Sequence, residues 1–267
     1  MSSNGRVAFR FTSLAEQPIA HGMSGRRRGD GHDGDVGHGR GTTAEIIEAN
    51  RTDFLNEVSI EPASLTIGRQ THGSRVEIVD RDSRGRGRYP AFDGFPATDA
   101  LVTADPSVAL GVIVADCVPL VLYDPVRHAV GVVHAGWRGT VAGIAPAAVE
   151  TMRDAFGSSP ADLLVGIGPS IGPCCYEVGV EVADAWRASG LDPNGEAISS
   201  GGTHFDLWAA NMRALASVGV AEGNVEISGV CVRCQIDRFF SYRAAARGVA
   251  MAGRMLMVAK LSERGRP

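Results

Sequence analysis

Long apolar runs are missing from this sequence: none approaches the roughly 18 residues that a membrane-spanning helix requires, so no membrane partner is expected. The opening stretch MSSNGRVAFRFTSL has no apolar centre of the secretory kind, which predicts a cytoplasmic protein. Basic excess is also missing. With a net charge of −4 and a pI near 6.0, the chain has no surplus of cations for a phosphate backbone, and nucleic acid is excluded as the main partner. Aromatic residues are scarce at 6%. There is no G-x-G-x-x-G, because the glycines of GIGPSIG miss that spacing, and no G-x-x-x-x-G-K-[ST], so neither a Rossmann dinucleotide site nor a Walker loop is supported. No repeat period is visible. Cysteine is sparse and odd in number, at five, and adjacent Cys174 and Cys175 would make a strained bridge. Thiols serving as ligands or core residues in a reducing compartment are the simpler reading.

What is present is enough apolar residue, 44% of 267, to bury a large core, and one domain over residues 1–267 is expected. RVAFRF alternates like an opening strand. Residues 22–41, GMSGRRRGDGHDGDVGHGRG, are glycine-rich and offer no packing face, which predicts a mobile loop. His32, Asp33, Asp35 and His38 lie in it, but gathering a metal there would carry a heavy ordering entropy, so a solvated loop is preferred. TTAEIIEANRTDFLNEV has helical spacing, with Thr42 or Thr43 as N-cap. Strand-like runs follow in LTIGRQTHGSRVEIV, DALVT and VALGVIVADCVPLVLYD. Strand–turn–helix units come next: AVGVVHA with GWRG and one helix carrying Val141, Ile144, Ala148, Met152 and Phe156, then DLLVGIG with PSIGPCC and VEVADAWRA. HFDLWAANMRALASVG, with Asp206 as N-cap, precedes VEISGV and a final MLMVAKL. The order predicts an α/β (mixed α+β) fold of mixed sheets flanked by helices.

His134 and Cys117 each end an apolar strand run, and His72 sits beside a glycine in QTHGSRV. Strand ends are where α/β sheets place ligands. One thiolate and two imidazoles suit zinc and leave a fourth position open. Spacing alone does not join them, since no C-x-x-C or H-x-x-x-H pair is involved, and from the residues alone a buried cysteine with two ordinary histidines is the preferred reading. In HAGWRG a strand meets a helix start through Gly136 and Gly139, so backbone N–H groups and Arg138 could hold an anion; a plain tight turn with a solvated Arg138 is the alternative. CVRC, Cys231 to Cys234, is half of a zinc knuckle whose other half would have to be Cys174 and Cys175, and free thiols are the simpler reading. Asp116 and Asp99 are candidate acids or bases, Asp116 being more simply a turn residue.

The segments QTHGSRV, DALVT, ADCVPLVLYD, AVGVVHAGWRGT, IGPSIGPCCYEVG, HFDLWAANMRAL and CVRCQIDRFFSYRA resemble, in order, the YfiH-like family, also called the laccase-domain or polyphenol oxidase family. The resemblance implies a YfiH-like fold, akin to that of the cytotoxic necrotizing factor cysteine hydrolases. It implies a zinc ion, copper being the lesser alternative, held by His72, Cys117 and His134. It implies phosphorolysis of purine nucleosides (adenosine, inosine, guanosine or methylthioadenosine), with adenosine deamination as a further activity. Small molecules, a purine nucleoside and phosphate, are then the partners, and the chain a monomer or weak homo-oligomer. Arg138, Gly136, Gly139, Asn50 and Arg51 become candidate substrate-binding residues, and Cys117, His134, Arg138 and Asp116 candidate catalytic ones. Deamination would lack the usual H-x-E with P-C-x-x-C and need another acid–base group, Asp116 first. Phenol oxidation ranks lower, because a multicopper cluster relies on many histidines in His-x-His pairs, whereas this chain has seven histidines and no such pair. Two other readings are a Cys–His amide hydrolase acting in peptidoglycan-precursor editing and a metal-binding protein without catalysis. Family members carry GGVS-x-G-x-Y-x-S-L-N-L-G where this chain has its glycine-rich segment, which implies an altered lid.

Overall fold

The computed structural model describes residues 7–27, 33–37, 42–89, 93–192, 194–195, 197–199 and 203–263. In chain order the elements are β1 Val7–Phe9, β2 Ile19–Ser24, α1 Ala44–Glu57, β3 Leu65–Ile67, β4 Val76–Ile78, β5 Ala100–Thr103, β6 Ala109–Val114, β7 Val118–Asp124, β8 Ala129–Ala135, α2 Trp137–Val141, α3 Ile144–Phe156, β9 Leu164–Ile167, α4 Val180–Ser189, α5 Leu207–Ser217, β10 Val225–Ile227, α6 Tyr242–Ala246 and β11 Met255–Leu261. They make two mixed sheets, ordered β1-β2-β11-β6-β3 and β10-β9-β7-β8-β5-β4. The α/β class with mixed sheets flanked by helices is therefore the observed one.

Period-two side chains decide the layering. Leu110, Val112 and Val114 of β6 and Met255, Met257 and Ala259 of β11 pack with Val121 and Tyr123 of β7 and Val130 and Val132 of β8 in the space between the sheets. The alternate residues turn outward. Leu120, Leu122 and Val133 meet Ala145, Ala148 and Met152 of α3, together with α4 and α5, while Leu256 and Val258 meet Phe54 and Leu55 of α1. Strands buried on both faces are apolar throughout, which is why every residue of β7 and β8 is buried.

Several expectations are corrected. Segment 22–41 is not one loose loop: Gly22–Ser24 end β2, paired through Met23 and Gly22 with Met257 and Val258 of β11. Asp33–Gly37 are buried, with the Asp35 carboxylate accepting from the Arg254 and Gly37 backbone N–H groups. His32 and His38 lie outside the described residues. Thr43 occupies the N-cap position of α1 without a side-chain capping bond, and the Thr42 hydroxyl instead donates to Asp35. The single helix expected after GWRG is two, α2 and α3, because Gly143 adopts a left-handed φ of 77° between them. VALGVIVADCVPLVLYD is likewise two strands, with the ADC turn between β6 and β7. Asp206 does cap α5, accepting from the N–H groups of Trp208 and Ala209. Among the described residues no helix is long and apolar enough to cross a membrane.

Candidate metal centre

Register brings the candidate ligands together. In the β7–β8 pair Val118 lies opposite Ala135 and Pro119 opposite His134, so Cys117, one residue before β7, sits beside the end of β8. His134 continues the Val130 and Val132 face. His72 comes from the loop between β3 and β4, and its ring lies 4.8 Å from that of His134 at an interplanar angle of 77°. The ligand atoms of His72, Cys117 and His134 all lie within 4.8 Å of one another.

Asp99, one residue before β5, organises this cluster. Its Oδ1 accepts from the His72 backbone N–H at 2.9 Å and lies 2.8 Å from His134 Nδ1. Its Oδ2 accepts from the N–H groups of Thr71 and Gly73, both at 3.0 Å, and from the Thr71 hydroxyl. This row of N–H donors holds His72 in its left-handed conformation, φ 63°, which a non-glycine residue keeps only when its surroundings impose it. Burial works against the Asp99 charge, but the bonds from His134, Thr71 and Gly73 outweigh it and bring its pKa down to about 2. With Nδ1 committed to Asp99, His134 presents Nε2 to the cluster, the usual way a carboxylate orients a metal-binding imidazole.

Charge in the cluster is shared between sulfur and nitrogen. Burial opposes ionisation of Cys117, yet His134 and His72 lower its pKa to about 6. Burial likewise opposes the His134 cation, which Cys117 and Asp99 raise to about 9. The donor set, one thiolate and two imidazoles once His134 releases its Nε2 proton to solvent, fits a borderline-soft divalent ion. Gly136 supports the fit, because a Cβ there would stand 2.9 Å from Cys117 Sγ and 3.0 Å from His72 Cδ2, inside the space the ligands occupy. Gly139 is needed for close approach too: its Cβ would meet the Gly73 carbonyl at 2.9 Å.

The cluster opens into a cavity of about 610 Å³, a size typical of small-molecule sites. Arg138 is exposed on its wall, with the guanidinium 4.3 Å over the Trp137 ring. Helix α2 is five residues long, so the anion-holding capacity of this turn rests on Arg138 more than on a helix dipole. Asp116 is the only carboxylate among the described lining residues. Its oxygens accept from the Ser241 hydroxyl and the Arg243 backbone N–H, each at 2.7 Å, and burial raises its pKa against those bonds. Asn50 is not brought to the cavity: its amide donates to the Asp35 carbonyl. Arg51 reaches the wall but spends Nε on the Val36 carbonyl and Nη1 on that of Arg88. The pair ties down the segment that diverges from the family pattern. Sequence reasoning missed Arg69 and Tyr176, which line the cavity, and assigned no part to Arg243, although FFSYR and PCCYEVG carried two of the three.

Among the described histidines only His72 and His134 join the cluster. His21 accepts from the Phe11 N–H, His128 lies between Tyr123 and the Ser262 carbonyl, and His204 pairs with Thr203.

Known proteins match this chain along most of its length. Residues 20–262 match a family model described as multi-copper polyphenol oxidoreductase laccase. A purine nucleoside phosphorylase of Bacteroides thetaiotaomicron is 35% identical over 206 residues, 76% of each chain. Adenosine deaminase RL5, from an unknown prokaryotic organism, is 38% identical over 201 residues, covering 74% of this chain and 76% of its own. The crystal structure of YlmD from Geobacillus stearothermophilus superposes with a TM-score of 0.86 at 30% identity, covering 95% of this chain and 94% of that one.

Proposed function

The chain belongs to the laccase-type, YfiH-like family matched over residues 20–262, and on that premise we propose that it is a zinc-dependent purine nucleoside phosphorylase with accompanying adenosine deaminase activity. The observation that carries the proposal is the convergence of His72, Cys117 and His134 at the base of a cavity with an arginine-bearing wall. Relatives named for phosphorolysis and for adenosine deamination support the two activities.

His72, Cys117 and His134 would hold zinc, which would supply Lewis-acid charge stabilisation. The protein's own groups do the rest. Asp99 keeps the His134 proton on Nδ1, so Nε2 remains a ligand. Arg138 holds the phosphate by charge-assisted hydrogen bonds, and no described residue competes for its guanidinium except the face of Trp137. The aromatic faces of Trp137, Tyr176 and Tyr242 on the wall accept a flat purine. Asp116, raised by burial, is the carboxyl group placed to exchange a proton with the bound base.

A second reading has one specific observation in its favour: Cys117, His134 and Asp99 stand in the order of a cysteine–histidine–aspartate nucleophile. His72 argues for the metal, since a nucleophile needs only one imidazole. Thiol alkylation separates the two, because a metal-bound Cys117 reacts only after chelation, whereas a nucleophile reacts at once. The main test is phosphate-dependent release of base from adenosine and inosine by wild type and Cys117→Ala. The substitution abolishes release and removes one bound ion per chain; release that persists after both changes refutes the proposal.

A further inference from the structure

The fold also brings together the four remaining cysteines. Cys174 and Cys175 lie in the loop after β9, and Cys231 and Cys234 in the segment after β10. A parallel bridge joins the two segments, with Ser170 N donating to the Val230 carbonyl and Val232 N to the Ser170 carbonyl. Glycine at 172 permits the approach: a Cβ there would stand 2.7 Å from Trp208 and 3.2 Å from Cys231 Cβ. The tight turn made by the Cys175 and Tyr176 N–H groups onto the Gly172 carbonyl lets two adjacent side chains converge instead of diverging as they would in a strand. Cys234 Sγ is 3.6 Å from Cys174 Sγ and 3.5 Å from Cys175 Sγ, and all four sulfurs lie within 4.8 Å of one another.

We propose that Cys174, Cys175, Cys231 and Cys234 form a tetrathiolate site for a zinc-class divalent ion, separate from the His72–Cys117–His134 centre, which fastens the cavity wall to the C-terminal segment. A tetrahedral ion with metal–sulfur bonds of about 2.3 Å sets its sulfurs about 3.8 Å apart, close to the spacing observed. Two disulfides would be a poorer solution, since a bond of about 2.05 Å pairs sulfurs and breaks the fourfold arrangement. N–H donors of the kind that surround metal thiolates are in place: Gly172 N points to Cys231 Sγ at 3.3 Å, and Arg233 Nη1 to Cys175 Sγ at 3.2 Å. Binding replaces the thiol protons, which pass to solvent, by four metal–sulfur bonds with no change of oxidation state.

The consequence reaches the active cavity. Ile171 and Tyr176, on either side of the cysteine pair, line it, as does Arg243 beyond Cys234. An ion clamping 174–175 to 231–234 therefore fixes both strands of that wall.

The test uses the full chain carrying Cys117→Ala, which empties the first centre and leaves the second intact. After zinc loading, this protein retains one ion per chain, and its cysteines resist alkylation until chelator is added. With cobalt it shows the thiolate charge-transfer absorption of a four-sulfur site. Adding Cys234→Ser, at an exposed position that the fold tolerates, abolishes the absorption and the retained ion. A Cys117→Ala protein that folds but binds no metal overturns the proposal, as does rapid alkylation of all four thiols after loading, or a mass showing disulfides among them. The result is independent of nucleoside turnover, so it stands or falls apart from the proposed activity.

Discussion

Replacing Asp99 by asparagine tests how the centre is built. The buried carboxylate accepts from three backbone N–H groups, one hydroxyl and His134 Nδ1, divided between its two oxygens. Asparagine is nearly isosteric, but in either orientation its amide NH2 faces groups that are themselves donors. With the amide oxygen in the Oδ1 place, Thr71 and Gly73 lose their acceptor; with it in the Oδ2 place, His72 does, and His134 Nδ1 faces a donor. The imidazole then moves its proton to Nε2, the nitrogen needed as ligand. Losing the charge of a buried, hydrogen-bonded pair costs about 3–5 kcal/mol, or about 6–20 °C in Tm for a chain of this size. Metal affinity falls about 10–100-fold. Thermal melts with and without zinc, and chelator competition, read the two effects. The sign in pH follows from a folded pKa held down to about 2: the stabilisation is complete above the unfolded value of about 3.9 and is lost as pH falls through that interval. The part of the Asp99→Asn deficit that belongs to the carboxylate thus closes only in acid, while the part carried through His134, whose pKa Asp99 helps raise to about 9, fades as pH climbs from about 6.5 towards that value. Wild-type affinity and melting in Asp99→Asn refute this account of the site.

Three other outcomes follow from particular contacts. Gly136→Ala puts a methyl group 2.9 Å from Cys117 Sγ, so metal content measured by mass spectrometry drops while circular dichroism keeps its native shape. Arg138→Ala removes charge-assisted bonds worth about 1.5–3 kcal/mol, which raises the KM for phosphate about 10–100-fold and leaves bound metal unchanged; an unaltered KM removes Arg138 from the phosphate site. Glu226 accepts from the Thr12 and Ser13 N–H groups and the Ser13 hydroxyl, which outweigh partial burial and lower its pKa. Glu226→Gln therefore destabilises by about 1–2 kcal/mol near neutrality, after allowing for its exposure, and the difference from wild type shrinks as acid protonates Glu226; urea melts at pH 7 and 3 check both.

By itself the sequence determined the elements and the chemistry on offer. Unbroken apolar runs in VALGVIV and AVGVVHA mark strands buried on both faces, Asp206 marks a helix start, and the thiol and imidazoles at strand ends mark ligand types, all through local pattern and side-chain chemistry. Tertiary structure alone decided which of those groups meet. The β7–β8 register sets Cys117 beside His134, and Asp99 draws His72 to them across a loop. Asn50 and Arg51 became anchors of the Asp35–Gly37 segment instead of substrate ligands. Cys174 and Cys175 met Cys231 and Cys234 because Ser170 bridges Cys231. Such long-range pairings depend on sheet register and loop closure, which leave no periodic trace in the chain, so residues that look alike in sequence, such as Asp99 and Asp116, take their roles only from what the fold sets around them.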